Sequence, residues 1–483
     1  MVATEKLAGL LGLSAFVLAG LGWLELSPSL SRLPWGRRIA LAYLLGIAWT
    51  GGALYAASHL FSLPLRRPVV LAVLAMPAAA GIFLRWRRRR ERASTPPSPR
   101  RWSPLGGAVF LLSALIFVGI LSEVITDPLR DWDGRMTWAA QARYVRAEGT
   151  VDAQALRQPR VFVTHPRYPL LLPLAQVATL ELAGAAEDSD AFRPLYAAFF
   201  PVLLALVYGC PRRRVSRSAA ALAAFCAAVL PFVASYPGGG AVSAYSDLPL
   251  ACFYGAGLLL LLEPRIGAAE GLVAGLLLAA AVLSKTEGAP LALAALFLGA
   301  LVRRPRGGRR APIGIAAAVV ALALALLISW RAGIPNRYDE GYGDLLSLTA
   351  LWPALVTRLP LLLSRIRLEM VAFKHWRLFW PMVPIVLLAG RDGLRRRWAG
   401  CLALAFLAPL GLAWLACTVH PDPAELVRTT WNRFLLQGFV PLLVLFSFAL
   451  DDLLRRSPHI PRWLFPGIRR PAGSRAVAGS PRS

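Results

Sequence analysis

Two carboxylates, Asp131 and Asp133, stand two residues apart in the stretch DWDGRMTWAAQARYV, directly after a run of apolar residues. A carboxylate held beside a hydroxyl can accept its proton, and here it would do so at the edge of an apolar segment. Other groups capable of chemistry interrupt the apolar blocks farther on. They are His165, Arg167 and Tyr168 in THPRYP, Asp247 in AYSD, and Lys285 with Glu287 in SKTEG. Cations follow at Arg337 (NRYDEGYGD), at Lys374, His375 and Arg377 (FKHWR), and at Arg428 and Arg433 (VRTTWNR). Lysine and arginine at such places suit a phosphate.

Each of these residues also has a plainer reading. Asp131 and Asp133 fit the N-terminus of a helix starting near Gly134, where an acidic side chain caps the backbone and meets the dipole. Asp247 fits the cap of a membrane helix, and Lys285 a side chain snorkelling from an outer turn. THPRYP fits an interfacial turn anchored by Tyr168. The late cations stand beside Trp376, Trp380 and Trp431 as membrane-interface anchors do. Arg433, expected at the outer start of the last apolar segment, is the hardest of them to read as an anchor.

The elements that carry these residues are membrane helices. Of 483 residues, 57% are hydrophobic and 16% charged. The apolar residues come in blocks of about 18 to 24, the length needed to cross roughly 30 Å of hydrocarbon. An open sheet could not satisfy its backbone there, so the expected class is an all-α polytopic membrane protein. The net charge of +27 does not indicate nucleic acid, because the arginines fall in bursts at the ends of apolar blocks: RWRRRRER, PRRRVSR, RRPRGGRR and RDGLRRR. That distribution is the positive-inside pattern. The five cysteines (Cys210, Cys226, Cys252, Cys401, Cys417) lie in or at the ends of apolar blocks without metal-ligand spacing, and read as packing residues. Segment 7–26 lacks a strongly basic lead and a clear cleavage site, so it reads as a retained span.

Placing the basic segments in the cytoplasm gives about 13 spans without contradiction. Three lie in 1–85, ahead of a basic cytoplasmic linker at 86–104, and a fourth at 105–125 runs outward. Region 127–190 is then external, and its apolar stretch YPLLLPLAQVATLELAG must lie at the interface or dip partway into the bilayer. Spans follow near 192–209, 218–235, 248–262, 271–283, 291–301 and 313–330. A second external region, 331–376, is expected to hold an amphipathic helix broken at Pro360. The last spans fall at 379–388, 399–417 and 434–450, within a C-terminal unit at 311–455, and a basic irregular tail occupies 456–483. The external polar residues gather on one face, which suggests a site at that surface.

The series WDGRMTWAAQARYVRAEG, THPRYPLLLPLAQVATLELAG, AFRPLYAAFFPVLLALVYGC, AYSDLPLACFYGAGLLLLL and GLVAGLLLAAAVLSKTEGAPLALAALF, in that order, resembles the GT-C superfamily of polytopic glycosyltransferases. Within it the resemblance is to the branch of protein mannosyltransferases and aminoarabinose transferases. It covers about 105–301, marks 105–310 as the catalytic core, and leaves the three N-terminal spans as an addition. It implies an inverting glycosyltransferase that takes a sugar from a polyprenyl-phosphate carrier and places it on a lipid, glycan or protein acceptor outside the cytoplasmic face. By this resemblance Asp133 matches the catalytic Asp, ahead of Asp131. The family's usual second acid is missing, because Gly134 stands in its place, and Asp131 is the candidate substitute. Lys285, Arg433 and Arg337 would hold the donor phosphate. His165, Arg167, Tyr168, Asp247 and Glu287 would contact acceptor or donor. Asp133 and Asp247 could share a divalent ion, but no dense acidic cluster supports it, so no metal or other cofactor is expected.

Two other classes compete with this reading. A transporter or lipid-linked glycan flippase would hold charges near the bilayer midplane and show repeat symmetry. Mid-span charge is nearly absent here, and no repeat is visible. An O-antigen polymerase or ligase would rely on arginines and a His in a large external loop, which the region around His375 keeps open. Ala-, Arg- and Pro-rich usage without an N-glycosylation sequon fits a bacterial inner membrane, with the site on the periplasmic or extracellular side.

Overall fold

The computed structural model describes residues 2–89, 104–158, 165–209, 215–235, 238–303, 311–335, 347–395 and 397–456. All regular structure among them is helical. Arg337, Cys210, the centre of the basic linker and the C-terminal tail lie outside the described residues. Among the described residues, six helices are long and apolar enough to cross a membrane: Thr4–Leu24, Trp35–Phe61, Arg67–Arg88, Pro104–Thr126, Ala311–Ala332 and Trp398–Val419. Pro423–Gln437 and Phe439–Arg456, bent by 59°, make a seventh if taken as one span.

The other expected spans also fall on helices, but on shorter ones. Asp247–Leu261, Ala268–Ser284 and Gly288–Arg303 pack together at the centre, with Arg193–Gly209 and Arg217–Ala228 beside them. The expected span at 218–235 is cut to the 12 residues Arg217–Ala228. A proline follows at Pro231, where the ring and the missing N–H favour the start of a new helical turn over continuation of the old one.

The three N-terminal helices wrap one flank. Thr4–Leu24 and Trp35–Phe61 approach so closely that a side chain at Gly20 would collide with the Ala42 backbone, and one at Gly46 with the Phe16 backbone. Small residues permit such crossings where lipid gives helices no hydrophobic drive to associate. Against this trio lies Leu171–Ala183, a 13-residue helix almost wholly buried. At 1.5 Å per residue it reaches only about 20 Å, too short to cross, as the charge pattern required. From within this helix, Gln176 donates through Nε2 to the Tyr196 hydroxyl at 2.7 Å.

Two differences from the sequence expectation stand out. Leu348–Met370 is one unbroken 23-residue helix through both Pro353 and Pro360. Its Leu362 and Ile366 are buried and the helix packs on Pro423–Gln437. Arg358 fastens it further by donating to the Thr418 and His420 carbonyls at 2.7 and 2.6 Å. That tertiary hold outweighs the single backbone bond each proline removes. Arg433 does not open the last span either. It lies in the last turns of Pro423–Gln437, ahead of the bend at Gly438.

Polar contacts divide between the two ends of the bundle. At one end Arg38 meets Glu25 at 2.7 Å, Arg37 meets Glu263 at 3.6 Å, and Arg303 donates to the Glu263 carbonyl at 2.7 Å, next to the basic segments. At the other end Lys6, fully buried, meets Asp190 at 3.2 Å and donates to the Asp127 carbonyl at 2.6 Å. There too His59 lies 3.0 Å from Asp152 and 3.1 Å from the Ser329 hydroxyl, tying the N-terminal helices to the core. Removing one partner of a buried pair leaves the other charge stranded. Asp190→Ala should therefore destabilise the protein by roughly 3 kcal/mol. Adding Lys6→Met should recover part of that loss, as read by thermal unfolding in detergent.

Candidate active site

The site grows from the first residue of one helix. Asp247 opens Asp247–Leu261 and is completely buried. Its carboxylate is saturated by three donors: Lys285 Nζ at 2.8 Å and Gln437 Nε2 at 2.8 Å on Oδ1, and Arg433 Nε at 2.8 Å on Oδ2. A carboxylate this deep must be paired and hydrogen-bonded to stay charged. The arrangement extends both ways. Arg433 reaches on through Nη1 to Asp133 Oδ2 at 2.8 Å, and Lys285 reaches Glu287 Oε1 at 3.0 Å. Five side chains thus form a line of alternating charge, Asp133–Arg433–Asp247–Lys285–Glu287, with a carboxylate at each end.

Their positions follow from local structure. Lys285 stands at the C-terminal cap of Ala268–Ser284, with the chain turning back at once into Gly288–Arg303, which aims its side chain inward. It is 3% exposed, so it does not snorkel. Arg433 and Gln437 are four residues apart on Pro423–Gln437 and so share a face. The Arg433 guanidinium lies 4.9 Å from the centre of the Tyr245 ring, whose hydroxyl accepts the Asp133 backbone N–H at 3.2 Å. Burial, and next the negative charge of Asp133, push the Tyr245 phenol up.

Asp133 precedes a π-helical turn, Gly134–Ala139, a widened form common at functional sites. Its side chain makes no capping bond to that turn. Capping therefore does not account for Asp133, and its bond goes to Arg433 instead. Asp131 is occupied elsewhere, accepting the Gly238 backbone N–H at 3.1 Å. Burial raises its carboxyl above the ordinary value, opposed next by that backbone bond. Gly134, standing where a second acid was expected, faces the Ser243 carbonyl so closely that any side chain would collide with it.

His165 and Tyr168 form a wall. Their rings stack at 4.5 Å and 11°, and Tyr168 leans on Trp138 at 5.5 Å. Gln141 holds the turn by donating to the His165 carbonyl at 3.0 Å. Burial lowers the His165 ring below its ordinary value, and Asp133, Arg433, Lys285 and Glu287 all act on it. The ring therefore lies within electrostatic reach of four of the five charged side chains. Arg167 is in the same turn; its carbonyl accepts Arg331 Nε at 2.8 Å while Arg331 Nη2 donates to Thr286 at 3.0 Å.

Of the residues singled out in the sequence, Asp133, His165, Asp247, Lys285, Glu287 and Arg433 come together, with Arg167 and Tyr168 alongside. Arg428 pairs with Glu425 at 2.6 Å on the surface, and Arg377 covers the Phe373 ring. His375 joins Asn432, Glu369 and Trp376 in a separate buried cluster in which Asn432 accepts from Trp376 at 2.7 Å and donates to Glu369 at 2.7 Å. Three contributors went unseen: Tyr245 as the platform under Arg433, Arg331, and Gln437. The four-residue spacing from Arg433 was the signal for Gln437.

The donor set does not suit an ion shared by Asp133 and Asp247. Both Asp247 oxygens already accept from Lys285, Arg433 and Gln437, which a divalent cation would have to displace. No group of three or more metal-ligating side chains is found among the described residues.

Two outcomes follow from this geometry. Gly134→Glu, which restores the missing acid, should abolish activity because it drives a side chain into backbone; undiminished activity would contradict the steric account. Second, the folded protein favours neutral His165. The stability this contributes is complete above the unfolded value near 6.5 and is lost as pH falls through the lower folded value. His165→Gln should therefore flatten the fall in melting temperature between about pH 7 and about pH 5.

Sequence comparison adds to the geometry. Residues 167–330 match the sequence model of the dolichyl-phosphate-mannose-protein mannosyltransferase family. No curated protein and no solved structure matches the chain. Asp247, Lys285 and Glu287 lie inside the matched segment, while Asp133 precedes it and Arg433 and Gln437 follow it. With the helical bundle and apolar spans, the match, which covers about a third of the chain, supports a membrane glycosyltransferase of the GT-C type.

Proposed function

We propose that the protein transfers a sugar from a polyprenyl-phosphate carrier to a hydroxyl of a lipid, glycan or protein acceptor, with inversion at the anomeric carbon. The observation that carries this reading is the line of alternating charges, which ends on Asp133 with Oδ2 held by Arg433. Oδ1 has no hydrogen bond to the described residues and is the atom assigned to the acceptor's proton.

In the reaction the acceptor oxygen attacks C1 from the face opposite the phosphate, and the bond from C1 to the phosphate oxygen breaks. The proton passes to Asp133 Oδ1, and the carrier phosphate leaves with the electron pair. A fixed guanidinium keeps the carboxylate pointed without requiring rearrangement at the moment of transfer. For the phosphate, Arg433 Nη2 and the neighbouring Arg331 and Arg167 are the cations assigned. Lys285, already shared by two carboxylates, sets the position of Asp247. His165, neutral and stacked on Tyr168, is assigned to an acceptor or sugar hydroxyl.

All the charged groups sit at helix ends, on the end of the bundle away from the basic segments. A transporter would place them at mid-membrane. With the basic segments cytoplasmic, the site opens outside the cytoplasm, in a bacterial inner membrane on the periplasmic or extracellular side. Asp133→Asn should abolish release of polyprenyl phosphate from polyprenyl-phosphate mannose, or from whichever polyprenyl-phosphate sugar the purified protein consumes. Membrane insertion and melting temperature should be preserved. Turnover at the wild-type rate by that variant would remove Asp133 from the mechanism.

A further inference from the structure

We infer that Gln437 is a positioning residue of the transfer centre: its side-chain amide sets the Asp247 carboxylate and, through it, the orientation of Arg433 toward Asp133. The inference rests on the reading of the site as a glycosyl-transfer centre, but one arm of its test does not depend on that reading.

Gln437 is completely buried, and Nε2 donates to Asp247 Oδ1 at 2.8 Å. Its Oε1 is also buried and has no hydrogen-bond partner among the described residues. The amide cannot turn around, because Oε1 against the carboxylate would set two acceptors face to face. A leucine here would fill similar space and leave no stranded oxygen. Keeping an orphaned acceptor in the interior is unfavourable, and such groups call for an explanation. The donor on the other side of the amide supplies it.

The donor must also be neutral. Asp247 already faces two cations, Lys285 and Arg433, and these face Glu287 and Asp133 in turn. A third cation at position 437 would compete with Arg433 for Asp247 and repel it. A carboxylate there would oppose Asp247 and draw Arg433 off Asp133. An amide adds a hydrogen bond without altering the charge balance of the line. It also reaches Asp247 from the same helix face as Arg433, so one rigid turn fixes both contacts. Arg433 Nε is then committed to Oδ2, leaving Nη1 directed at Asp133. Gln437 lies well beyond the segment matched by the family model.

The test uses the full chain in detergent, with Gln437→Leu and Gln437→Glu. The first arm measures labelling of Arg433 by phenylglyoxal, read by mass spectrometry, and requires no turnover. In wild type Arg433 is held and only 12% exposed, so it should react slowly. In Gln437→Leu it should react several-fold faster, with the melting temperature showing that the protein remains folded. Labelling at the wild-type rate overturns the inference.

The second arm follows release of polyprenyl phosphate from polyprenyl-phosphate mannose. Gln437→Leu should lower kcat about tenfold with donor KM nearly unchanged, the mark of an interaction that matters in the transition state. Gln437→Glu should approach wild type on the acid side, where the introduced carboxyl is protonated and can donate to Asp247. As pH rises and it ionises, its activity relative to wild type should fall. A ratio that stays constant with pH, or a Gln437→Leu loss matching only a smaller folded fraction, assigns Gln437 to packing and overturns the inference. A wild type inactive on every polyprenyl-phosphate sugar, with Arg433 labelling as expected, would instead count against the glycosyltransferase reading.

Discussion

A fully buried carboxylate is tolerable only when donors surround it, and Asp247 shows how much structure that demands. Its three partners come from the turn after one central helix and from the end of a helix nearly two hundred residues on. Those two elements must therefore pack against the start of Asp247–Leu261. Once they do, Arg433 has a second hydrogen-bonding edge left, and Asp133 takes it. The segment that carries Asp133, the central helices and the C-terminal helices are held at one point by charge, and by packing elsewhere.

That dependence explains why the sequence was legible in parts. Helical class, and a segment around Leu171–Ala183 that does not cross, followed from hydropathy and arginine placement alone. Asp133, Asp247 and Lys285 stood out because charge at the edge of an apolar block is costly. What local reasoning missed was tertiary. Nothing in the order of residues says that Gly134 faces the Ser243 carbonyl, so the absent second acid looked like a substitution awaiting compensation by Asp131. Packing leaves no room for a side chain there, and Asp131 is bound to the Gly238 amide.

The same distinction applies to the helices that differ from expectation. A proline reads as a break only while its segment is considered in isolation. In Leu348–Met370 the buried Leu362 and Ile366 and the Arg358 contacts hold the helix through two prolines. At Pro231 the chain starts a new turn, and the helix before it has already ended. Likewise Gln437, one glutamine near the end of an apolar stretch, offers only its four-residue spacing from Arg433 as a signal. Its importance appears only with the carboxylate it faces and the orphaned oxygen it carries.

The shortness of the central helices has a consequence for the depth of the site. At 1.5 Å per residue, the 15 residues of Asp247–Leu261 extend about 22 Å and the 17 of Ala268–Ser284 about 25 Å, against roughly 30 Å of hydrocarbon. Enclosed by longer helices, both end short of the surface of the bundle, which leaves room for water above their ends. The charged line would then lie recessed below the level of the surrounding headgroups, on the floor of a local depression. On the proposed reading, a carrier lipid approaches it laterally with its phosphate near headgroup depth while a water-soluble acceptor descends from above, and the two meet without either crossing the bilayer.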